Sequence, residues 1–333
     1  MATTTTTNPA TVADRLQTFF SKKLLDRQIH TLKLSDFAMP AELPRGSKSK
    51  TIRWFRVENA DDTDVQTLTE GTAISTFKEV DLSYVEATLV QYGEATKISD
   101  VLQLIDAYEP LKQHIMVMGE DAALHADTIT RNAIRTGFDS SNGNQERFAG
   151  VTNTGTSSTD FTSLSGLSTS SAKLTRAVML ACATQLKANR CPKLDGRFVA
   201  IVPPQGVHDL RRDSDILTCW QNSDKDRLYK DYIGMVDGID YVEATNPFRE
   251  TVYGTYAAAG AIYSTFIVGR HCYGVPKMAG SSSPYRPQVI ITDKPDKSDP
   301  LNQYVIAAWK VFFTAKLLNI NFGVQLRHKT TFV

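Results

Sequence analysis

The chain is 333 residues long, 41% hydrophobic and 22% charged, and its 37 basic and 36 acidic side chains leave a formal net charge of +1. That length supports a sizeable core, and the balanced charge argues against both a polyanion mimic and a chain built all over for nucleic acid. No apolar run approaches the ~20 residues of a membrane-spanning helix; the longest, 257–268, is broken by Gly260, Tyr263, Ser264 and Thr265. Residues 1–9 are Thr-rich, with no basic start and no apolar stretch, so no secretory signal is expected. Cys182, Cys191, Cys219 and Cys272 form no CxxC pair and read as free, mostly buried thiols.

In chain order, residues 1–11 are too polar to pack and read as a disordered or extended arm. Residues 12–25 place Val12, Leu16, Phe19, Phe20 and Leu24 on one helical face. Pro40 and Pro44 forbid a regular helix over 32–45, which should run extended. Residues 51–58 and 79–90 are β-branched and partly alternating, the pattern of two strands in a long hairpin around the acidic, Thr-rich connection 59–73. Such a hairpin buries little of its own surface and is expected to need a neighbouring chain.

The period then turns helical. Ser99 or Asp100 is the cap, and Ile98, Val101, Leu102, Ile105 and Tyr108 share a face. Pro110 suits a first helical turn, so a second helix starts there with Leu111, Ile115, Met118, Ala122, His125, Ile129 and Ala133 as its apolar stripe. His125 on that stripe is expected to be a core or interface histidine, since no second His or Cys lies nearby in sequence. Residues 139–171, rich in Ser, Thr, Gly and Asn, predict a long exposed loop. Ser171 should cap a helix over 172–189, and 196–202 ahead of Pro203 and Pro204 predicts a buried strand. A helix around 207–211, strands at 239–244, 261–268 and 288–292, and a strongly apolar run at 304–318 follow. Strands mixed with helices, without regular β-α-β alternation, predict an α+β fold.

No residue set points to chemistry. Phosphate-cradling loops, a GxSxG elbow and HExxH are absent from the sequence. Asp61, Asp62 and Asp64 lack the glycine and closing Glu of a calcium loop. His208 and Asp209 are adjacent, so they should not face each other on a helix, and no nucleophile has an evident way to reach them. Charge is nevertheless segregated: residues 1–56 carry ten basic against four acidic groups, a net of +6, and residues 57–135 carry five against fifteen, a net of −10. Opposite blocks of this kind can steer association between copies of a chain, and the basic arm of one copy is expected on the acidic surface of its neighbour.

Several short stretches then acquire meaning from their order. They are Phe37-Ala-Met-Pro40 with Leu43-Pro-Arg-Gly46, Leu68-Thr-Glu-Gly71, and Val90-Gln-Tyr-Gly93 followed by Ile98-Ser-Asp100. Gly196-Arg-Phe-Val-Ala-Ile-Val-Pro-Pro204 with His208-Asp-Leu-Arg-Arg-Asp213 comes next, then Asp299-Pro-Leu-Asn-Gln303 ahead of Ala308-Trp-Lys310. Set behind a polar arm, a hairpin and a spine-like helix, they resemble the HK97-type fold of tailed-phage coat proteins, and within it the major capsid proteins of the phage N-four type. Such proteins place Val-His-Pro where this chain has Val202-Pro203-Pro204.

The resemblance implies an N-terminal arm (1–50), an extended hairpin loop (51–96), a spine helix and peripheral domain carrying the exposed insert (97–171), an axial domain (172–295) and a return to the peripheral domain (296–333). It further implies a structural protein, not an enzyme, with no catalytic, cofactor-binding or metal residues and no cofactor. Its copies would assemble as pentamers and hexamers into the icosahedral head shell around double-stranded DNA. Scaffolding, portal and decoration proteins would be its partners, DNA would be contacted non-specifically, and no membrane would be involved. The protein would reside in the virion after assembly in the host cytoplasm. An encapsulin-like compartment is the alternative on the same fold; an enzyme without a recognisable motif and a phage tail or adhesin subunit are alternatives of other classes.

Overall fold

The computed structural model describes residues 33–41, 50–57, 67–68, 70–71, 82–105, 110–138, 145–149, 172–223, 234–246, 249–253, 256–276, 288–292, 300–301 and 303–332. The helix predicted at 12–25, the Asp61, Asp62 and Asp64 cluster and most of the 139–171 insert lie outside them.

The first strand, β1 (Met39–Ala41), follows a single 3-10 turn at Ser35–Phe37, so the segment is extended at Pro40, and Pro44 lies outside the described residues. Strands β2 (Thr51–Val57) and β3 (Leu82–Thr88) pair antiparallel with Thr51 opposite Thr88. Strand β4 (Val90–Ser99) runs directly into helix α1 (Asp100–Ile105). Both candidate caps act there: the Asp100 carboxylate accepts the Val101 N–H at 2.7 Å, and the Ser99 hydroxyl accepts that of Leu102 at 3.3 Å. Helix α2 (Pro110–Phe138) starts at its proline and runs 29 residues, about 44 Å at 1.5 Å per residue.

Its buried seam differs from the predicted stripe. Ile115, Met118 and Ala122 are buried, but Ala126, Thr130, Ile134 and Phe138 continue the seam, leaving His125 exposed and Ala133 half-buried. Four-residue steps rotate slowly about the axis, so over seven turns the inward face moves one position along the sequence. Of the two positions expected for His125, core or interface, its exposure excludes the core.

The other elements are β5 (Glu146–Phe148), α3 (Arg176–Ala188), β6 (Phe198–Val202), α4 (Pro204–Arg211), α5 (Ser214–Ser223), β7 (Met235–Val236), β8 (Ile239–Glu243), β9 (Arg249–Tyr253), β10 (Tyr256–Val268), β11 (Tyr273–Pro276), β12 (Gln288–Thr292), β13 (Tyr304–Phe313), β14 (Lys316–Leu317) and β15 (Gly323–His328). Helix α3 starts four residues later than predicted, after Thr175 instead of Ser171. Residues 172–173 are drawn to the chain end, where the Lys329 N–H reaches the Ala172 carbonyl at 2.9 Å and Lys173 bridges Lys329.

Seven strands form the larger sheet, in the order β5-β15-β10-β6-β8-β7 with β9 on β10. Helices α3 and α4 and the same sheet supply one core, including Met179, Leu186, Val207, Leu210, Ile201 and Ile267. A second core lies between α2 and the three-stranded sheet β12-β13-β4, where Ile115, Met118, Trp309 and Val311 meet. Burial alternates strictly along β13, one face to the helix and one outward. Strand β12 (288–292) joins the smaller sheet, and β15 (323–328) joins the larger one. Residues 90–99 pair along their whole length with β13 in the small sheet.

The third core shows that the base of the hairpin, expected to need a neighbouring chain, also packs on its own chain. Ile52, Trp54 and Ala87 are buried with Leu318, against Met39, Ala41 and Phe312. The Trp54 indole donates to the Met39 carbonyl at 3.4 Å, and a Cβ on Gly274 would sit 2.5 Å from the same ring, so only glycine lets β11 pass. Residues 33–41 thus touch every core: Leu34 in the first, Ala38 in the first and second, Met39 and Ala41 in the third.

Candidate assembly surfaces

The hairpin that is inward at Trp54 is apolar on its other face too. Phe55 stands opposite Tyr84, and they are 71% and 56% exposed. Beside them Arg53 pairs with Glu86 at 2.5 Å and lies 5.1 Å over the Tyr84 ring. This ion pair joins the basic and acidic blocks within one chain, so Arg53 already has an acidic partner at home.

A second apolar surface forms where α1 meets the turn before β13. The Asp100 N–H donates to the Gln303 carbonyl at 3.0 Å and Ser99 pairs with Tyr304, which brings Leu301 to the same end of the sheet as α1. Leu104 is 87% and Leu301 77% exposed, with Val101 and Leu102 exposed beside α1's start. Grouped aliphatic side chains in water mark contact surfaces more often than chance placements. Sequence periodicity assigned Val101 and Leu102 to a helical face but could not say that both stay exposed among the described residues.

The joint between the two large cores is held by a clamp on Leu34. Its N–H donates to the Asp127 carboxylate at 3.0 Å and its carbonyl accepts the buried Tyr273 hydroxyl. Burial pushes the Asp127 carboxyl up to about 6, against the lowering effect of the Leu34 N–H, Asn246 and Arg131. Asn246 ties the joint laterally, accepting from Arg131 at 2.7 Å and donating to the Thr128 hydroxyl at 3.1 Å.

The chain end is built differently. All six residues of β15 are buried, including Gln325, Arg327 and His328. Arg327 is paired with buried Glu146, and the Gln325 amide donates to the Ser264 hydroxyl at 3.0 Å. The His328 Nδ1 lies 3.0 Å from the Lys329 carbonyl, which can only accept, so Nδ1 carries the proton and Nε2 accepts from the Thr265 hydroxyl at 3.0 Å. Burial lowers this imidazole to about 4, so it is neutral at physiological pH. Asp209 accepts both the N–H and the hydroxyl of Thr331, and its Oδ1 lies 3.4 Å from the His208 Nδ1. The two neighbours do touch, contrary to the expectation from helix geometry, but Asp209 is spent on fastening the chain end.

His125 packs edge-on to Tyr92 with ring centroids 4.8 Å apart, and no group of three or more His, Cys, Asp or Glu suited to a metal ion occurs among the described residues. Cys182, Cys191 and Cys272 are buried free thiols, as composition suggested. Burial pushes Cys182 and Cys191 up to about 12 and Cys272 well above its usual value, which suppresses the reactive thiolate. No helix among the described residues is long and apolar enough to cross a membrane.

A long helix on a three-stranded sheet, a hairpin that runs into its edge strand and a separate mixed sheet with flanking helices make up an α+β fold of the HK97 type. Solved structures share it over nearly the whole chain. The capsid of cyanophage P-SCSP1u superposes with a TM-score of 0.65 at 12% identity, covering 90% of this chain and 89% of that one. The capsid of Ralstonia phage GP4 gives 0.60 at 15% identity, covering 86% and 85%. The SrpI encapsulin complex from Synechococcus elongatus PCC 7942 gives 0.50 at 8% identity, covering 89% and 85%. No protein-family profile and no curated protein sequence matches the chain.

Proposed function

We propose that this chain is the major capsid protein of a tailed bacteriophage, a structural subunit whose copies close into an icosahedral head around double-stranded DNA. The observation that carries the reading is end-to-end likeness of fold to several phage capsids, with TM-scores of 0.60 to 0.65 over 86–90% of the chain. Exposed aliphatic side chains at Leu104 and Leu301 and the apolar outer face of the hairpin support it, because a shell subunit needs such surfaces for its neighbours. The role is assembly, not catalysis. Pentamers and hexamers, scaffolding, portal and decoration partners, non-specific contact with DNA, and assembly in the host cytoplasm belong to the same proposal. The five-part division into arm, extended loop, peripheral and axial domains does too, and membership of the phage N-four type rests on the ordered sequence stretches.

One further reading has an observation behind it. The encapsulin match is weaker, at 0.50, and would make the shell a container for an enzyme. Expression in bacteria followed by gradient sedimentation and mass spectrometry separates them. The capsid reading expects large closed particles that carry no co-purifying enzyme and that package DNA when portal and terminase are supplied. A stoichiometric cargo enzyme would favour the compartment, and a protein that stays monomeric at high concentration would refute both.

A further inference from the structure

A cleft of about 480 Å³ opens between α2 and β4, with Glu94 and Asp121 on its rim, Leu124, His125 and Thr128 along the helix side and Trp309 in its floor. Three of its properties mark it as incomplete. Strand β4 is the edge of its sheet, ten residues long, and among the described residues it pairs with β13 alone; open edges of that length invite wrong pairing. Glu94 and Asp121 are exposed and have no ion-pair partner among the described residues. Trp309 is 4% exposed, yet its indole N–H finds no acceptor there, a cost that an entering carbonyl or hydroxyl would remove.

The position of the chain's exit indicates the occupant. The described body begins at Lys33, and Leu34 is bonded to Asp127, the residue beside Thr128 at the end of the cleft. Asn246 lines the small cavity around Leu34 and also donates to Thr128, so exit and cleft adjoin. Residues 12–32 bring Arg15, Lys22, Lys23 and Arg27 against Asp14 and Asp26, interleaved with Phe19, Phe20, Leu24 and Leu25. That is the chemistry an acidic rim over an aromatic floor would take. From Lys33 even a dozen extended residues span roughly 40 Å, several times the distance from Thr128 to Asp121. A tethered segment also acts at an effective concentration in the millimolar range, far above a second copy at micromolar concentration.

We propose that the cleft holds residues 12–32 of the same chain, whose basic and aromatic side chains cover the β4 edge of the unassembled subunit. The inference concerns the free subunit and does not depend on shell formation. The test is a photo-crosslinking amino acid, p-benzoylphenylalanine, in place of Leu124, with the full-length chain irradiated at low micromolar concentration. The expected product has monomer mass, and its linked peptide falls within 12–32. Glu94→Lys with Asp121→Lys should cut its yield at least five-fold. Lys22→Glu with Lys23→Glu should do the same. The same probe at Leu301, at the far end of β4, should not label 12–32. A product of dimer mass, a linked peptide from elsewhere, no product, or a yield indifferent to the charge changes would each overturn the proposal.

Discussion

The seven-stranded sheet and the three-stranded sheet treat their polar and apolar groups in opposite ways. On the larger one even Gln325, Arg327 and His328 are buried, and each bonds a partner from another strand, although the Gln325 Oε1 and the Tyr241 hydroxyl find none among the described residues. On the smaller one the edge strand β4 is mostly exposed, and the sheet's end carries Leu104 and Leu301 into water. A buried polar group without its partner costs far more than the bonded pair gains, so such a set is stable only if finished within the chain. Exposed aliphatics cost little individually and can wait for another surface. The larger sheet thus settles most of its buried polar groups within one subunit, and the smaller one leaves an exposed edge and apolar side chains for another surface.

Breaking the finished side should have the largest effect. Arg327→Leu strands buried Glu146 and should cost about 3–5 kcal/mol in urea unfolding, most of it recovered when Glu146→Leu is added. No recovery in the double variant would mean that packing, not charge, dominates there. Next, Trp54→Ala empties the hairpin base and should cost about 3 kcal/mol locally. Hydrogen exchange should then rise in β2 and β3 while β6 and β10 keep their protection; a uniform rise would show that the hairpin is not a separate unit.

Two titrations sharpen the comparison, because the joint and the chain end respond to acid with opposite signs. Asp127 has a folded value near 6, above its ordinary 3.8, so its contribution is fully present below about 3.8 and lost as pH rises through 6. Asp127→Asn should therefore gain stability relative to the native chain, on the order of 2 kcal/mol, between pH 4 and pH 7. His328, lowered to about 4 from 6.5, contributes above 6.5 and loses that contribution as pH falls toward 4. His328→Gln should narrow its deficit against the native chain over that window by a similar amount. Parallel curves for either variant and the native chain would contradict the assignment.

Much of this was legible in the sequence because the cause was local. Pro40 imposed an extended strand, Ser99 and Asp100 a cap, and Pro110 a helix start. The alternating strands at 51–57 and 82–88 paired as their pattern required. What escaped depended on distant partners. The sequence of β15 looks too polar to bury, and only Glu146, Ser264 and Thr265, at least 61 residues away, make it a core strand. In β13 the outward face carries Ile306 and Phe312, so a strictly alternating strand reads as one apolar run. Helix α5 places Ile216, Leu217 and Trp220 at helical spacing, but over only ten residues that spacing did not identify it. The surfaces at Leu104 and Leu301, 197 residues apart in the chain, meet only once β4 and β13 pair.

The smallest effect on the subunit should have the largest effect on the particle. Leu104→Lys with Leu301→Lys alters side chains that are mostly in water and should leave subunit stability within about 0.5 kcal/mol. Yet it should sharply reduce the yield of sedimenting particles. Normal particle yield from this variant would remove the peripheral surface from the assembly account. The most direct measurement is a cryo-electron microscopy reconstruction of the expressed native chain. The account predicts closed icosahedral shells in which Leu104 and Leu301 are buried against neighbouring copies; shells that leave both in solvent, or no shells at assembly concentrations, would contradict it.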